Sequence, residues 1–229
     1  MKILFFYLFV SLTIARSCQD ELLQLRDQGF SEILIQKSRE CLKQNPESAS
    51  LNRLRGLILM EANQPLAAAS AFRRTQDLDP DLEDAWIYEL VAYLYAQDPL
   101  KRHRQSIQRI KKQFSKRPEI LAEAGNILIQ AKEMSTAFEY FKSLLDENYP
   151  EPWIYHFKLG QMYYLVKTWD DALQQLVLAQ KLNPESSLVY HWLGKVWEAK
   201  GNMEYAQAFY KDAQNMGYTE PNENHKHPR

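Results

Sequence analysis

The residues of this chain with side chains able to do chemistry are five histidines, two cysteines and one dense run of cations. The histidines are His103, His156, His191, His225 and His227. Only the last two, in "HKHP", stand close enough in sequence to share a metal ion, and a polar tail accounts for them as well. Gly-rich phosphate loops, His-Glu-x-x-His, Cys-x-x-Cys and Gly-x-Ser-x-Gly are absent from the sequence, so no motif points to an enzyme or to a cofactor. The cation run is "KRHRQSIQRIKKQFSKR", Lys101 to Arg117, with eight Lys/Arg and no acid. Ile107, Ile110 and Phe114 recur within it at three and four residues, which predicts an amphipathic helix. Lys101, Arg102, Arg104, Arg109, Lys111 and Lys112 would then face outward, either simply solvated or gripping an anionic surface such as lipid headgroups, a sugar acid or an acidic protein. No stacking aromatics interleave these charges and the net charge is −1, so nucleic acid is not the expected partner.

The cysteines depend on where the mature chain starts. Lys2 is followed by "ILFFYLFVSLTIA", Ile3 to Ala15, without a charge. That run matches a signal-peptide core and is too short for a span of about 20 residues. Ala15 and Ser17 supply the small side chains that cleavage after Ser17 requires, so residues 1–17 read as a signal for export and Cys18 as the first mature residue. An uncleaved anchor is the alternative. The site resembles the lipobox of bacterial lipoproteins, which implies a lipid on Cys18 and a membrane tether. It departs from that pattern at Ala15, where Leu is usual, and at Arg16, where a small residue is. A Cys18–Cys41 disulfide and two unrelated thiols remain open beside it.

The elements that must position these residues follow a repeat. Pro46, Pro80, Pro118, Pro150, Pro184 and Pro221 succeed each other at 34, 38, 32, 34 and 37 residues. "LGQMYYLVKTWDDALQQLVLAQKLNP" and "LGKVWEAKGNMEYAQAFYKDAQNMGY" align Gly160 on Gly194, Tyr163 on Trp197, Ala172 on Ala206 and Ala179 on Ala213, all at 34. A mid-helix glycine costs about 1 kcal/mol against alanine, so close approach of a second helix must offset it, with Ala172 and Ala206 as the small partners. Gly56, Ala68 and Phe72 repeat the pattern, as do Gly125, Ala137 and Phe141. The stretch Glu83 to Arg117 keeps Trp86 but has four extra residues and no evident small position.

These residues resemble the tetratricopeptide repeat, a helix–turn–helix of 34 residues. The resemblance implies an all-α fold, a right-handed superhelical solenoid of about six hairpins over 18–220. The units fall at about 19–46, 49–80, 83–117, 118–150, 153–184 and 187–220, and 221–229 reads as a disordered tail. It further implies a concave groove lined by the first helix of each unit. By position that face includes Arg53, Leu57, Ile87, Val91, Asn126, Ile129, Ile154, Phe157, Gln161, Tyr164, His191 and Lys195. Such a groove suits a peptide or protein partner. The expected role is a non-enzymatic scaffold or adaptor in the bacterial envelope or periplasm, resembling small envelope proteins of this repeat family that assist assembly. A cytosolic or membrane-anchored co-chaperone adaptor is one alternative. A glycan-binding or hydrolytic envelope protein is another.

Overall fold

The computed structural model describes residues 18–27 and 31–219. Residues 1–17, with the expected signal segment, and the tail 221–229, with His225 and His227, lie outside the described residues. Twelve helices and no strand occur among the described residues. They are α1 (helical backbone at 18–27), α2 (Ser31–Gln44), α3 (Ala49–Glu61), α4 (Pro65–Leu78), α5 (Glu83–Tyr95) and α6 (Arg102–Gln113). The remainder are α7 (Pro118–Gln130), α8 (Met134–Asp146), α9 (Pro152–Leu165), α10 (Trp169–Leu182), α11 (Ser187–Ala199) and α12 (Met203–Asn215). Two compact units divide the chain, Met1–Phe114 with α1–α6 and Ser115–Arg229 with α7–α12. Proline starts α4, α7 and α9, where its missing N–H costs no helical bond. Ser48 and Asn202 cap α3 and α12 by accepting the Leu51 and Tyr205 N–H groups.

The helical hairpins keep one register. The turn inside five successive hairpins carries a left-handed residue, at Asn63, Gln97, Lys132, Lys167 and Gly201, every 34 or 35 residues. Seven residues before four of them stands a glycine of the first helix. Each glycine faces a side chain sixteen residues on: Phe72 for Gly56, Phe141 for Gly125, Leu176 for Gly160 and Tyr210 for Gly194. A Cβ at Gly160 would lie 2.7 Å from Leu176 Cγ, and one at Gly194 2.6 Å from the Tyr210 ring. The glycines therefore admit a large side chain, and the wholly buried Ala68, Ala137, Ala172 and Ala206 let the helices approach beside it.

The α5–α6 hairpin is the exception that the sequence flagged. Its turn has six residues, 96–101, where the other four have three. Leu90 takes the glycine position and is fully buried. The neighbouring Glu89, also fully buried, replaces apolar contact by a polar lock. Its carboxylate accepts from Arg73 Nε at 3.1 Å, Gln76 Nε2 at 3.1 Å and Ser106 Oγ at 3.1 Å, and pairs with Arg109. Ser106, buried on α6, is the small residue that the sequence did not reveal.

At the start of the first unit Cys18 is bonded to Cys41, Cα to Cα 5.8 Å. Both lie in a buried cluster with Leu22, Leu34, Leu51, Leu54 and Ile58. The lipid reading of Cys18 gives way here: a sulfur in a disulfide has no valence left for a thioether, and this one is packed inside. Among the described residues no helix is long and apolar enough to cross a membrane.

Candidate partner-binding face

The basic stretch differs from its outward-facing expectation. Helix α6 forms, but a fully amphipathic reading missed how many of its cations are taken. Arg102 donates from Nε and Nη2 to Asp98 at 3.0 and 2.8 Å, and lies over the Tyr93 ring at 5.0 Å. Asp98 is itself buried and also accepts the Arg102 backbone N–H at 2.8 Å. The side-chain bonds from Arg102 hold its carboxyl down to about 2. Arg109 donates to Gln76 Oε1 at 2.8 Å, pairs with Glu89 and sits over Trp86. Lys111 is 3% exposed. Lys101, Arg104 and Lys112 remain exposed. An outward cationic strip of six residues is therefore reduced to three. The sequence lacked the acids because they arrive from α5 and the α5–α6 turn.

The first-helix face of the first unit is similarly self-satisfied. Arg53 donates from Nε to Asp84 at 2.8 Å and lies over Tyr88, while Ile87 is buried. Desolvation next to Arg39 lowers Arg55 below the usual arginine value. No group of acids, histidines or cysteines is placed to hold a metal among the described residues.

The second unit is different. Helix α9 carries Lys158, Gln161 and Tyr164 at spacings of three, which share one face, with Phe157 four residues before Gln161 at its inner edge. Phe157 is not a lining residue: it is 2% exposed and forms the floor, edge-on to Trp192 of α11 at 6.3 Å. Tyr164 meets Trp192 edge-on at 5.4 Å and Trp169 of α10 at 5.2 Å. Lys195 of α11 holds its ammonium 4.6 Å from the Trp192 ring centre and 5.6 Å from that of Tyr164. Lys158 holds its own 5.4 Å from Phe157. Asn126, Gln161, Tyr164 and Lys195 are all half-buried. His191, expected on the same face, is also half-buried, with Tyr218 stacked on it at 4.2 Å and Tyr210 at 5.4 Å.

What the arrangement offers is aromatic walls with two half-buried ammonium groups and no carboxylate between them. Neither Lys158 nor Lys195 has an ion pair among the described residues. Burial alone pushes Lys158 below the ordinary lysine value. Lys158 and Trp192 were missing from the expected groove list. Their signal was available, since Lys158 precedes Gln161 and Trp192 precedes Lys195 by three residues on one helix.

Comparison with known proteins agrees with this repeat. Residues 39–83 match the family model of the tetratricopeptide repeat. No curated protein sequence matches the chain. Among solved structures, a Pseudomonas aeruginosa pilF structure is 15% identical, covering 90% of this chain and 93% of its own, at a TM-score of 0.47. A tetratricopeptide repeat protein from Parabacteroides merdae is 16% identical, with coverages of 90% and 80% and a TM-score of 0.47. YrrB, described as a tetratricopeptide protein with an unusual peptide-binding site, is 16% identical, with coverages of 79% and 92% and a TM-score of 0.45. At such identities and scores these likenesses assign no partner.

Proposed function

We propose that this tetratricopeptide repeat protein is a non-enzymatic adaptor that holds a peptide segment of a partner protein against the α9–α11 face of its second unit. The observation that carries the reading is the contrast between the two units. Cations of the first unit are spent on Asp84, Glu89 and Asp98, whereas Lys158 and Lys195 stand beside aromatic rings without an acid. Aromatic and basic side chains grouped in this way are the usual anchors of protein recognition. Its place of work, in this reading, is the oxidising side of a bacterial envelope. The buried Cys18–Cys41 disulfide supports that location, because cytosolic thiols are kept reduced, and so does the apolar run from Ile3 to Ala15. The same disulfide disfavours the cytosolic co-chaperone alternative.

A photo-crosslinking amino acid placed at Gln161 or Tyr164, in the full chain in living cells, tests the site. The expected result is a discrete adduct whose partner peptide maps to one protein. Leu100, 73% exposed in the first unit, is the control position. Equal adducts from Leu100, or none from either second-unit position, would refute the proposal.

A further inference from the structure

Two arginines of the first unit, Arg39 and Arg55, lie outside the pairings above. Arg55 is half-buried on α3. Leu51, one turn before it, and Ile58, three residues after it, belong to the cluster shared with α1 and α2, whereas Leu59, one turn after it, belongs to the cluster with α4. Arg55 therefore stands at the seam of α3 between the residues that face α2 and those that face α4. Ile35 of α2 packs against both clusters, and Arg39 stands one turn further along the same face. Arg39 lies five residues before the end of α2 and Arg55 six after the start of α3, so the two are level across the connection.

Neither guanidinium makes a hydrogen bond or an ion pair with a described residue, and Arg55 Nε is buried without an acceptor. Burial, then the Arg39 charge, holds Arg55 below the usual arginine value, and no acid acts on it in the other direction. The acids of these helices are engaged or distant. Glu21 pairs with Lys37, Glu61 with Arg26 and Glu47 with Arg74. Glu40, beside Arg39 in sequence, accepts the Gln36 amide at 2.9 Å. Glu32 is seven residues from Arg39 along α2. As Gly56 faces Phe72, Arg55 is level with Ala71 of α4, and Asp77 lies six residues beyond that point. Both acids are thus about 9–10 Å off along the helix axes. Lys43, one turn after Arg39 and exposed, adds a third cation to that face of α2.

We propose that this seam binds a doubly charged oxyanion, a phosphoryl group held between the Arg39 and Arg55 guanidiniums. A buried lysine can relieve repulsion by losing its proton, whereas a guanidinium stays charged at neutral pH. Two of them at one seam repel each other, and a buried N–H without an acceptor has lost its water for nothing. An anion between them answers both deficits. The guanidinium fork presents paired N–H donors that match phosphoryl oxygens, and Arg55 Nε is the inner donor. One carboxylate would neutralise a single charge of the pair, whereas a phosphoryl dianion neutralises both. The seam lies round α3 from Arg53 and Leu57 on its expected groove face, so the site is independent of the peptide-binding reading.

The test uses the oxidised full chain and two sources of the group: inorganic phosphate, and phosphatidylcholine vesicles with and without phosphatidic acid. A saturable rise in melting temperature in phosphate, against chloride at equal ionic strength, assigns the free anion. Flotation with the phosphatidic acid vesicles alone assigns a lipid headgroup, and either result supports the site. Arg39→Gln, at the exposed mouth, should weaken binding about tenfold, as for one lost charge-assisted contact, and Arg55→Gln at least as much. Without the anion, Arg39→Glu should melt higher than the parent, because it supplies the missing acid to Arg55, and it should no longer respond to phosphate. A merely solvated pair would show neither change. No saturable response to either source, an equal response to acetate, or unchanged binding by either glutamine variant overturns the proposal.

Discussion

Gly125→Ala puts the repeat contact to its sharpest test. In an unobstructed helix the change stabilises by about 1 kcal/mol. Here the added Cβ would fall on the Phe141 ring, with two further ring carbons at 2.7 Å, and that ring is fully buried. Carbon atoms pack best at about 3.5–4.0 Å, so the ring must retreat by roughly 1 Å within a close-packed interior. Overpacking of this kind costs about 1–3 kcal/mol. A ring with no solvent to move into belongs at the upper end, which leaves a net loss of about 2 kcal/mol after the gain in helix propensity. In a domain of this size that is a fall of about 4–8 °C in melting temperature. Gly194→Ala is the matched control. Its obstacle, Tyr210, is half-buried on the last helix and can swing outward, so the two terms should nearly cancel. Circular dichroism or calorimetric melting reads both, and Phe141→Leu on top of Gly125→Ala should recover stability that it would lose alone. A higher melting temperature for Gly125→Ala, or a larger loss at Gly194 than at Gly125, would refute the close-packing account.

Three further outcomes follow from the first unit. Cys18→Ser with Cys41→Ser opens a link across 23 residues, and loop entropy puts the loss at about 3 kcal/mol; alkylation of the native protein before reduction should label neither thiol, and a labelled Cys18 would sink the disulfide. Intact mass of the same sample, expected to start at Cys18, checks the export reading. Asp98, held at about 2 against an ordinary 3.8, contributes stability that is complete above 3.8 and lost as pH falls from there toward 2. Asp98→Asn should therefore lower the urea midpoint at pH 7 and differ little from the parent at pH 2. An equal gap at both pH values would show that the Arg102 pairing is not the source.

How far the sequence revealed all this depends on whether each feature is local. The glycine–alanine period is local, and it located the hairpins and their packing. The left-handed turn residues repeat as strictly, yet asparagine, glutamine, lysine and glycine all fill the position, because the turn constrains the backbone and leaves the side chain in water. The α5–α6 hairpin hid its small residue, since Ser106 substitutes for alanine only when a buried Glu89 is there to accept its hydroxyl. Cys18 stayed open between three fates because the pairing that decides it joins α1 to α2. Phe157 was placed on the correct helix and the wrong side of the surface. An aromatic at a lining position is covered or uncovered by what the neighbouring helix brings, here Trp192.

The same reasoning explains why the most basic stretch of the sequence presents fewer outward cations than its density suggests. Cation density is visible in one dimension, whereas availability is decided by carboxylates that fold against it. The first unit has Asp84 for Arg53, Glu89 for Arg73 and Arg109, and Asp98 for Arg102. Each of these pairs contributes to holding adjacent helices or a turn, and each removes a charge from the surface. In the second unit three acids are engaged away from those lysines: Glu151 accepts the Trp153 indole at 2.7 Å, Glu198 accepts the Tyr210 hydroxyl at 2.5 Å, and Asp170 pairs with Lys200. Lys158 and Lys195 are left with rings for neighbours. On the proposed reading, a pair of lysines in an unremarkable stretch thus outranks eight cations in seventeen residues, because the fold sets it among aromatic rings without an acid.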